Sequence, residues 1–401
     1  MAYVIIGNSA AGISAGEALR ESDKTGEIVI ISQEDSLPYY KYLLCDYISE
    51  RLSHQEMLFK PREFYREKNI IPFLGEKVIH IDTDEKKILF ENREFITYDK
   101  LLIASGVYPV TPRTPGHYLT AVYTLRSWED AENILQTARR SERAVVMGGD
   151  ITGYSVAHAL LKLHLKVTLI TDSDRILPHS LDERGSELIR DSIQNSNLEI
   201  IFKDEVADVV RHPLDNKLVG VGLSSGKEIV CQLLVLDKGN KADTSLVRGT
   251  DIKFNHGIEV NDKMETTVSS VYAAGDVAET WDIAFEGKKQ NEGWYNAVYQ
   301  GWVAGCNMAG TDSRYPGTIK INRVNFGVPF VSAGLINPNN EDLKWKVMVN
   351  EKSDSYRKIL LKNGMIYGMI FIGDTKGADS IIALIKAKAK MEESTVLNLL
   401  I

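Results

Sequence analysis

Gly7-Asn8-Ser9-Ala10-Ala11-Gly12 follows the apolar run Tyr3–Ile6 and opens a helical stretch running from Ala11 to Arg20. A second apolar strand, Glu27–Ser32, comes next, and Glu34 lies 22 positions after Gly12. A dinucleotide pyrophosphate needs a tight turn, a backbone it can approach closely and a helix N-terminus aimed at it. The loop supplies all three, with Ser9 in place of the middle glycine of G-x-G-x-x-G. Serine is small and neutral, and its hydroxyl can donate to phosphate. Glu34 stands where an acid would bind a ribose hydroxyl. Strand, loop, helix, strand and acid together predict a dinucleotide-binding α/β unit.

A second unit of the same kind follows. Ala144–Met147 reads as strand, Gly148-Gly149-Asp150-Ile151-Thr152-Gly153 as loop, Tyr154–His164 as helix and Lys166–Thr171 as the next strand. Here the middle position is Asp150. A carboxylate about 4 Å from a phosphate charge costs roughly 1 kcal/mol in water and about 4 kcal/mol at an effective dielectric near 20. Thr171 ends the strand where an acid is expected, and Asp172 is one place late. Two readings stay open. Either Asp150 opposes a phosphate, or it turns away and leaves the helix N-terminus free.

The rest of the chain fits around these units. Its 401 residues predict two or three cores. With 47 Lys+Arg against 55 Asp+Glu the net charge is −8, so no basic field invites nucleic acid. No apolar run reaches the ~20 residues of a spanning helix, and the start lacks a basic, cleavable leader. A soluble, cytoplasmic protein is expected. Cys45, Cys231 and Cys306 form no C-x-x-C pair, and the eight His show no ligand spacing, so no metal is expected. Cys231 and Cys306 sit in apolar runs and read as core, and Lys386, Lys388 and Lys390 as a solvated face. Short strands are predicted near Glu76–Ile81, Lys87–Phe90, Leu101–Ala104 and Leu233–Leu236, with a Pro-punctuated connection at Val107–Gly116. Near the end, Tyr356–Leu361 and Met365–Ile372 flank Asn363-Gly364, a strong hairpin signal. Lys346–Val349 can add a strand, and Gly377–Lys390 has the apolar spacing of an amphipathic helix.

Further stretches carry a family resemblance. They are Pro38-Tyr39-Tyr40-Lys41, Leu102-Ile103-Ala104-Ser105-Gly106, Tyr123-Thr124-Leu125-Arg126, Tyr272–Glu279, and Asn296-Ala297 through Gln300-Gly301 to Gly310. With both glycine loops, the chain resembles the FAD-dependent pyridine nucleotide–disulfide oxidoreductases, in the branch of rubredoxin reductases and nitrite reductase flavin subunits. The resemblance implies FAD as cofactor. Gly7, Ser9, Ala10, Ala11, Gly12 and Glu34 would hold its pyrophosphate and adenosine ribose, and Val78 would meet the adenine through its backbone. Ala104, Ser105, Gly106, Gly275 and Asp276 would border the flavin half, with Asp276 near the ribityl chain. The helix from Asn296 and Ala297 would aim its positive end at the flavin pyrimidine. Lys41 and Arg126 would contact the flavin, and Trp294 would lie against it.

The resemblance also implies an NAD(P)H site at Gly148, Gly149, Asp150, Gly153, Thr171 and Gly239. Asp150 and Thr171 depart from the pattern there, as do Ser155, where a helix Glu is usual, and Asp237, in a normally apolar stretch. Cys45 stands near where single-cysteine relatives use a thiol. Beside Lys41 its pKa could be depressed; the other reading is a packed free thiol, since the surrounding residues look more like the branch with Ser here.

The expected fold is α/β, with two Rossmann-like domains and a small α+β C-terminal domain. The FAD domain is discontinuous, 1–110 and 239–318, the NAD(P)-binding-like domain spans 111–238, and the last spans 319–401. The expected function is electron transfer between NAD(P)H and a redox-protein or small acceptor, with an iron–sulfur or rubredoxin-like partner. Two alternatives are a flavin electron-transfer subunit whose nicotinamide site has degenerated, and a Cys45-dependent disulfide or peroxide reductase. A homodimer and a subunit of a complex both remain open.

Overall fold

The computed structural model describes residues 1–401 apart from 112–115, 117–118, 194–196, 216, 339–344, 353–354 and 401. Two five-stranded parallel sheets form its framework. In the first, Ala2–Ile6 is central. Glu27–Ser32 and then Ile70–Leu74 lie on one side, and Lys100–Ile103 and then Val271–Ala273 on the other. Every pairing is parallel, so both faces of the central strand are covered and its residues Tyr3–Ile6 are all buried.

The second sheet repeats this order in four strands, but its outer strand beside Leu233–Leu236 comes from before the unit, where that of the first comes from after it. Arg143–Met147 is central, with Lys166–Thr171 and Leu198–Phe202 on one side and Leu233–Leu236 and Val122–Tyr123 on the other. The strands Glu27–Ser32, Lys166–Thr171 and Leu233–Leu236 have the bounds expected from sequence. A three-stranded antiparallel meander is also inserted into each unit, before Lys100–Ile103 in the first and before Leu233–Leu236 in the second. These are Val78–Asp82, Lys87–Phe90 and Phe95–Thr97 in the first, and Val206–Arg211, Leu218–Leu223 and Glu228–Val230 in the second.

The chain leaves the first unit and returns to it through a ribbon. Val107–Pro109 pairs antiparallel with Asn240–Ala242. Part of the predicted connection Val107–Gly116 lies outside the described residues.

Both loop helices begin earlier than a hydrophobic pattern alone shows. They span Ala10–Ser22 and Ile151–Lys162, because small and polar residues of the loop already take helical geometry. The second ends two residues before the expected His164, which has a left-handed φ of 66°. The Ala10–Ser22 helix packs on Trp294–Met308. The approach is so close that a Cβ on Gly301 would lie 2.1 Å from the Ala11 carbonyl oxygen, and one on Gly305 2.4 Å from that of Ala15. Glycine at both places lets the helices touch through their backbones.

The last part is an antiparallel sheet in the order Ile321–Asn325, Pro329–Gly334, Met365–Ile372, Ser355–Lys362, Trp345–Lys352. Asn363 and Gly364 turn the predicted hairpin with φ of 54° and 75°, as a type I′ turn needs. Helices Ala378–Ala387 and Glu393–Leu400 pack their apolar residues Ile381, Ile385, Val396 and Leu400 on this sheet. Lys386, Lys388 and Lys390 are exposed as expected. The sheet is fastened to the second unit by Lys358 Nζ and Tyr356 Oη, which donate to Asp182 Oδ2 at 2.8 and 2.7 Å. No described helix is long and apolar enough to cross a membrane.

Candidate functional site

The first loop is a narrow cradle. Gly7 has φ 125°, and a Cβ there would lie 2.2 Å from the Ala104 carbonyl oxygen. A Cβ on Gly12 would lie 1.8 Å from the Gly7 oxygen. Ser9 is the helix N-cap and makes no side-chain cap bond. Among the described residues no side chain accepts from the Gly12 amide. The loop is anchored from behind, by Gly7 N–H donating to Ile31 O at 2.8 Å and Asn8 Nδ2 to Ser36 O at 3.2 Å.

Four charged residues from distant parts of the chain gather beside this cradle. Lys41 is ion-paired with Glu34, and Tyr39 Oη donates to Glu34 Oε2 at 2.5 Å. Arg126 Nη2 faces Asp276 Oδ2 at 3.4 Å, and its Nε donates to Val107 O at 3.2 Å. Burial opposes ionisation of Glu34, but the charge and hydrogen bond of Lys41, the Tyr39 hydroxyl and Arg126 outweigh it and hold the carboxyl below its usual range. Burial lowers the Lys41 pKa in spite of Glu34, and Arg126 adds to the lowering. Glu34 and Lys41, expected at the ribose and the flavin respectively, are thus direct partners.

The other expected FAD residues fall around the same place. Asp276 Oδ1 accepts from Gly293 N–H at 3.1 Å, just before the Trp294–Met308 helix. Gly275 packs between Ala11 and Ala297, since a Cβ on it would lie 3.0 and 3.6 Å from their Cβ atoms. Its N–H donates to the buried Gln300 Oε1 at 2.8 Å. Gly106 faces Arg126, and Ser105 Oγ donates to Asp243 O at 3.1 Å. Ala10 and Ala11 are buried in the first turn. Val78 starts its meander strand shortly after Gly75, whose N–H donates to Glu34 O at 3.4 Å. Asn296 Nδ2 donates to Ile319 O at 3.4 Å. Trp294 lies in a ring cluster with Tyr40, Tyr42 and Phe59 at centroid distances of 5.1, 5.4 and 4.9 Å.

The second loop has the same backbone plan and different occupants. A Cβ on Gly148 would lie 2.3 Å from the Asp237 carbonyl oxygen, and one on Gly153 2.1 Å from that of Gly148. Asp237 therefore takes the place that Ala104 has in the first unit. Its Oδ2 accepts from the Gly153 N–H at 2.7 Å, and its Oδ1 from Gly239 N–H at 3.2 Å.

Asp150 turns away from its own helix. It binds Ser180 Oγ at 3.0 Å and His179 Nδ1 at 3.2 Å instead. Burial opposes its ionisation, but the His179 hydrogen bond, the Lys320 charge and Ser180 hold it below its usual range. Thr171 is buried against Gly149, and its Oγ1 accepts from Ser173 N–H at 3.2 Å. Asp172 pairs with Lys238 at 3.0 Å. Ser155 Oγ is bound to Ile151 O at 2.6 Å.

Of the two readings of Cys45, reactive or packed thiol, its surroundings favour the packed one. Cys45 lies in the short helix Leu44–Ile48, packed on the apolar cluster around Leu44, Ile48 and Tyr154. Burial, with the charges of Asp46 and Asp237, pushes its thiol up to about 12. Lys41 does not counter this, because its ammonium is committed to Glu34. Cys231 and Cys306 are buried, as expected. Among the described residues no group of three or more His, Cys, Asp or Glu could hold a metal.

Sequence reasoning missed the partners of four participants. Tyr39 was visible only as part of a motif. His179 and Ser180 reach Asp150 from some 30 residues away, and no local pattern marks them. Asp237 stood out as a charge in an apolar run, but its partner was not legible.

Comparison with known proteins agrees with this architecture. Residues 1–301 match the pyridine nucleotide-disulphide oxidoreductase family, and residues 324–389 match the rubredoxin NAD+ reductase C-terminal domain. The NADH-rubredoxin oxidoreductase of Clostridium acetobutylicum is 30% identical, over 92% of this chain and 90% of its own. The nitrite reductase [NAD(P)H] of Bacillus subtilis is 26% identical over 99% of this chain but only 48% of its own length, so the chain spans about half of that relative. A solved NAD-dependent persulfide reductase from A. fulgidus superimposes with a TM-score of 0.90 at 25% identity, covering 99% of this chain and 79% of that one. Two five-stranded parallel sheets, each with a glycine loop after its central strand, and a family match over residues 1–301 place the chain in the pyridine nucleotide-disulphide oxidoreductase family.

Proposed function

We propose that this protein is an FAD-dependent oxidoreductase passing electrons between NAD(P)H and a redox protein of the iron–sulfur or rubredoxin kind. The observation that carries the reading is the convergence of Glu34, Lys41, Arg126 and Asp276 beside a first loop whose Gly12 amide no described side chain takes. That set fits FAD. A cradle that any Cβ would fill accepts a pyrophosphate, and the ionised Glu34 accepts from ribose hydroxyls. FAD, when bound, supplies two-electron chemistry toward a nicotinamide and one-electron chemistry toward an acceptor.

The chain's own residues position and tune. Lys41 and Tyr39 fix the Glu34 carboxylate. Arg126 and Gly293 N–H fix Asp276 at the start of the Trp294–Met308 helix. That helix N-terminus favours developing negative charge near it. The acceptor is read from the C-terminal match to the rubredoxin reductase domain and from the 30%-identical relative. In this reading residues 1–110 with 239–318 hold FAD, 111–238 receive NAD(P)H, and 319–401 support docking. The chain acts in the cytoplasm, where its three cysteines stay free.

The test mixes purified holoprotein with NADH or NADPH and a rubredoxin or small ferredoxin, and follows the absorbance of the acceptor. Acceptor reduction that depends on both components is expected. No reduction of any such acceptor, from a protein that holds FAD, would overturn the reading.

A further inference from the structure

We propose that the Asp237 carboxylate is a built-in stand-in for nucleotide phosphate at the second glycine loop, so that Asp237 sets how tightly this protein takes a nicotinamide dinucleotide. The inference rests on the reading that NAD(P)H is the electron donor, and it adds a specificity-determining residue that this reading does not contain.

The geometry is specific. The helix Ile151–Lys162 begins at Asp150, which gives it no side-chain cap. The third amide of its first turn, Gly153 N–H, donates instead to Asp237 Oδ2 at 2.7 Å. The other oxygen of the same carboxylate holds Gly239 N–H at 3.2 Å. Both are charge-assisted bonds of the type a phosphate oxygen would make here. The first unit is the internal control. The corresponding residue there is Ala104, which has no group to offer, and no described side chain takes the Gly12 amide.

A pyrophosphate that takes the Gly153 amide must therefore displace a carboxylate of the protein. Asp150, drawn aside by His179 and Ser180, still adds its negative charge to the surroundings of Asp237. Like charges at a few ångströms oppose binding unless one is neutralised.

A proton is one way to neutralise it. Burial raises the Asp237 pKa, the amides of Gly239 and Gly153 pull it back, and the Asp150 charge raises it again. The groups facing it come from several elements. Asp150 lies on the loop, with His179 from the segment after Lys166–Thr171 and Lys320 from the C-terminal region acting on Asp150. The Cys45 thiol faces Asp237 from the Leu44–Ile48 helix. Lys238, next in the chain, is turned to Asp172 and Glu205 at 3.0 and 3.1 Å. His179 also gains charge as pH falls, its pKa being raised chiefly by the Asp150 hydrogen bond. The difference between wild type and a neutral variant therefore reads Asp237, and the wild-type profile alone does not.

The experiment titrates ADP-ribose, which carries the pyrophosphate without the nicotinamide, into FAD-loaded wild type, Asp237→Asn and Asp237→Ala by calorimetry across pH. Each sample is also titrated anaerobically with NADH. Asn still offers an oxygen to Gly153 N–H, so that variant keeps the fold if Ala does not. Both variants should bind ADP-ribose about tenfold or more tightly than wild type, the size of one lost charge-assisted bond. The gap should widen as pH rises and Asp237 loses its proton. Variants that bind no more tightly than wild type at every pH would overturn the inference, and NADH bleaching of wild-type flavin would then leave the donor reading standing. Tight ADP-ribose binding by the variants with no wild-type bleaching by NADH or NADPH would uphold Asp237 as the determinant and remove the donor reading.

Discussion

Two glycine loops in this molecule have one backbone and opposite electrostatics. Gly7–Gly12 and Gly148–Gly153 each start a helix from the central strand of a five-stranded parallel sheet. Each packs its first glycine on the chain leaving the neighbouring strand, at Ala104 in one and Asp237 in the other. In the first, that residue is neutral and the gathered charges, Glu34, Lys41, Arg126 and Asp276, balance two acids against two bases. In the second, two carboxylates sit at the helix start and one of them takes a helix amide. The difference teaches that the dinucleotide fold and the dinucleotide site are separable. Backbone closeness makes the fold, and a handful of side chains decides what may bind.

The sharpest way to break the comparison is to fill both cradles. Gly12→Ala should abolish FAD binding and cost about 3 kcal/mol or more, since its Cβ meets the Gly7 oxygen at 1.8 Å. Gly153→Ala should cost a similar amount but leave FAD in place. Flavin content after gel filtration and thermal melting separate the two, and equal flavin loss in both would mean that the loops are not independent.

The second prediction concerns what fastens the C-terminal sheet to the second unit. Asp182→Ala strands Lys358, which is 10% exposed, without its acid, and should cost about 3–5 kcal/mol. Burial opposes ionisation of Asp182, yet the hydrogen bonds from Lys358 and Tyr356 keep its carboxyl below the usual range. A depressed folded-state pKa means this stability is present above the unfolded value and is lost as pH falls through the folded one. Acid unfolding of wild type should therefore steepen below the ordinary carboxylate range, and the variant should lack that component. Denaturant melts across pH check it.

A smaller effect sharpens the first loop. Glu34→Gln removes the charge that Lys41 and Tyr39 fix, and should weaken FAD about tenfold, read by flavin fluorescence on dilution. The smallest effect concerns Cys45. With its thiol pushed up to about 12, it should alkylate far more slowly at pH 8 in the folded protein than in the denatured one, as mass spectrometry of the labelled peptide would show. Rapid labelling of folded protein would restore the thiol reading.

Much of this was legible from sequence. The run Tyr3–Ile6 before a small-residue loop left little choice but a buried parallel strand feeding a helix, and Asn363-Gly364 announced its hairpin. Local chemistry set those elements. The connections across the fold were less legible. That Lys41 serves Glu34, that His179 draws Asp150 aside, and that Asp237 reaches Gly153 depend on side chains meeting over 7, 29 and 84 residues. The 3-residue strand Val107–Pro109 was read as a plain connection because its partner, Asn240–Ala242, lies far along the chain. The surroundings of the Cys45 thiol were hidden for a related reason. A lysine four residues away in sequence suggested a nearby cation, and a more distant acid had already claimed it.

In the proposed function the first loop carries the flavin and the second admits a nicotinamide nucleotide against its own carboxylates. Anaerobic titration of the purified holoprotein with NADH and then NADPH, following the visible flavin band, tests it most directly. Bleaching by at least one nucleotide is expected, at concentrations that fall as the pH is lowered. A flavin band that persists with both nucleotides, yet bleaches with dithionite, would contradict it.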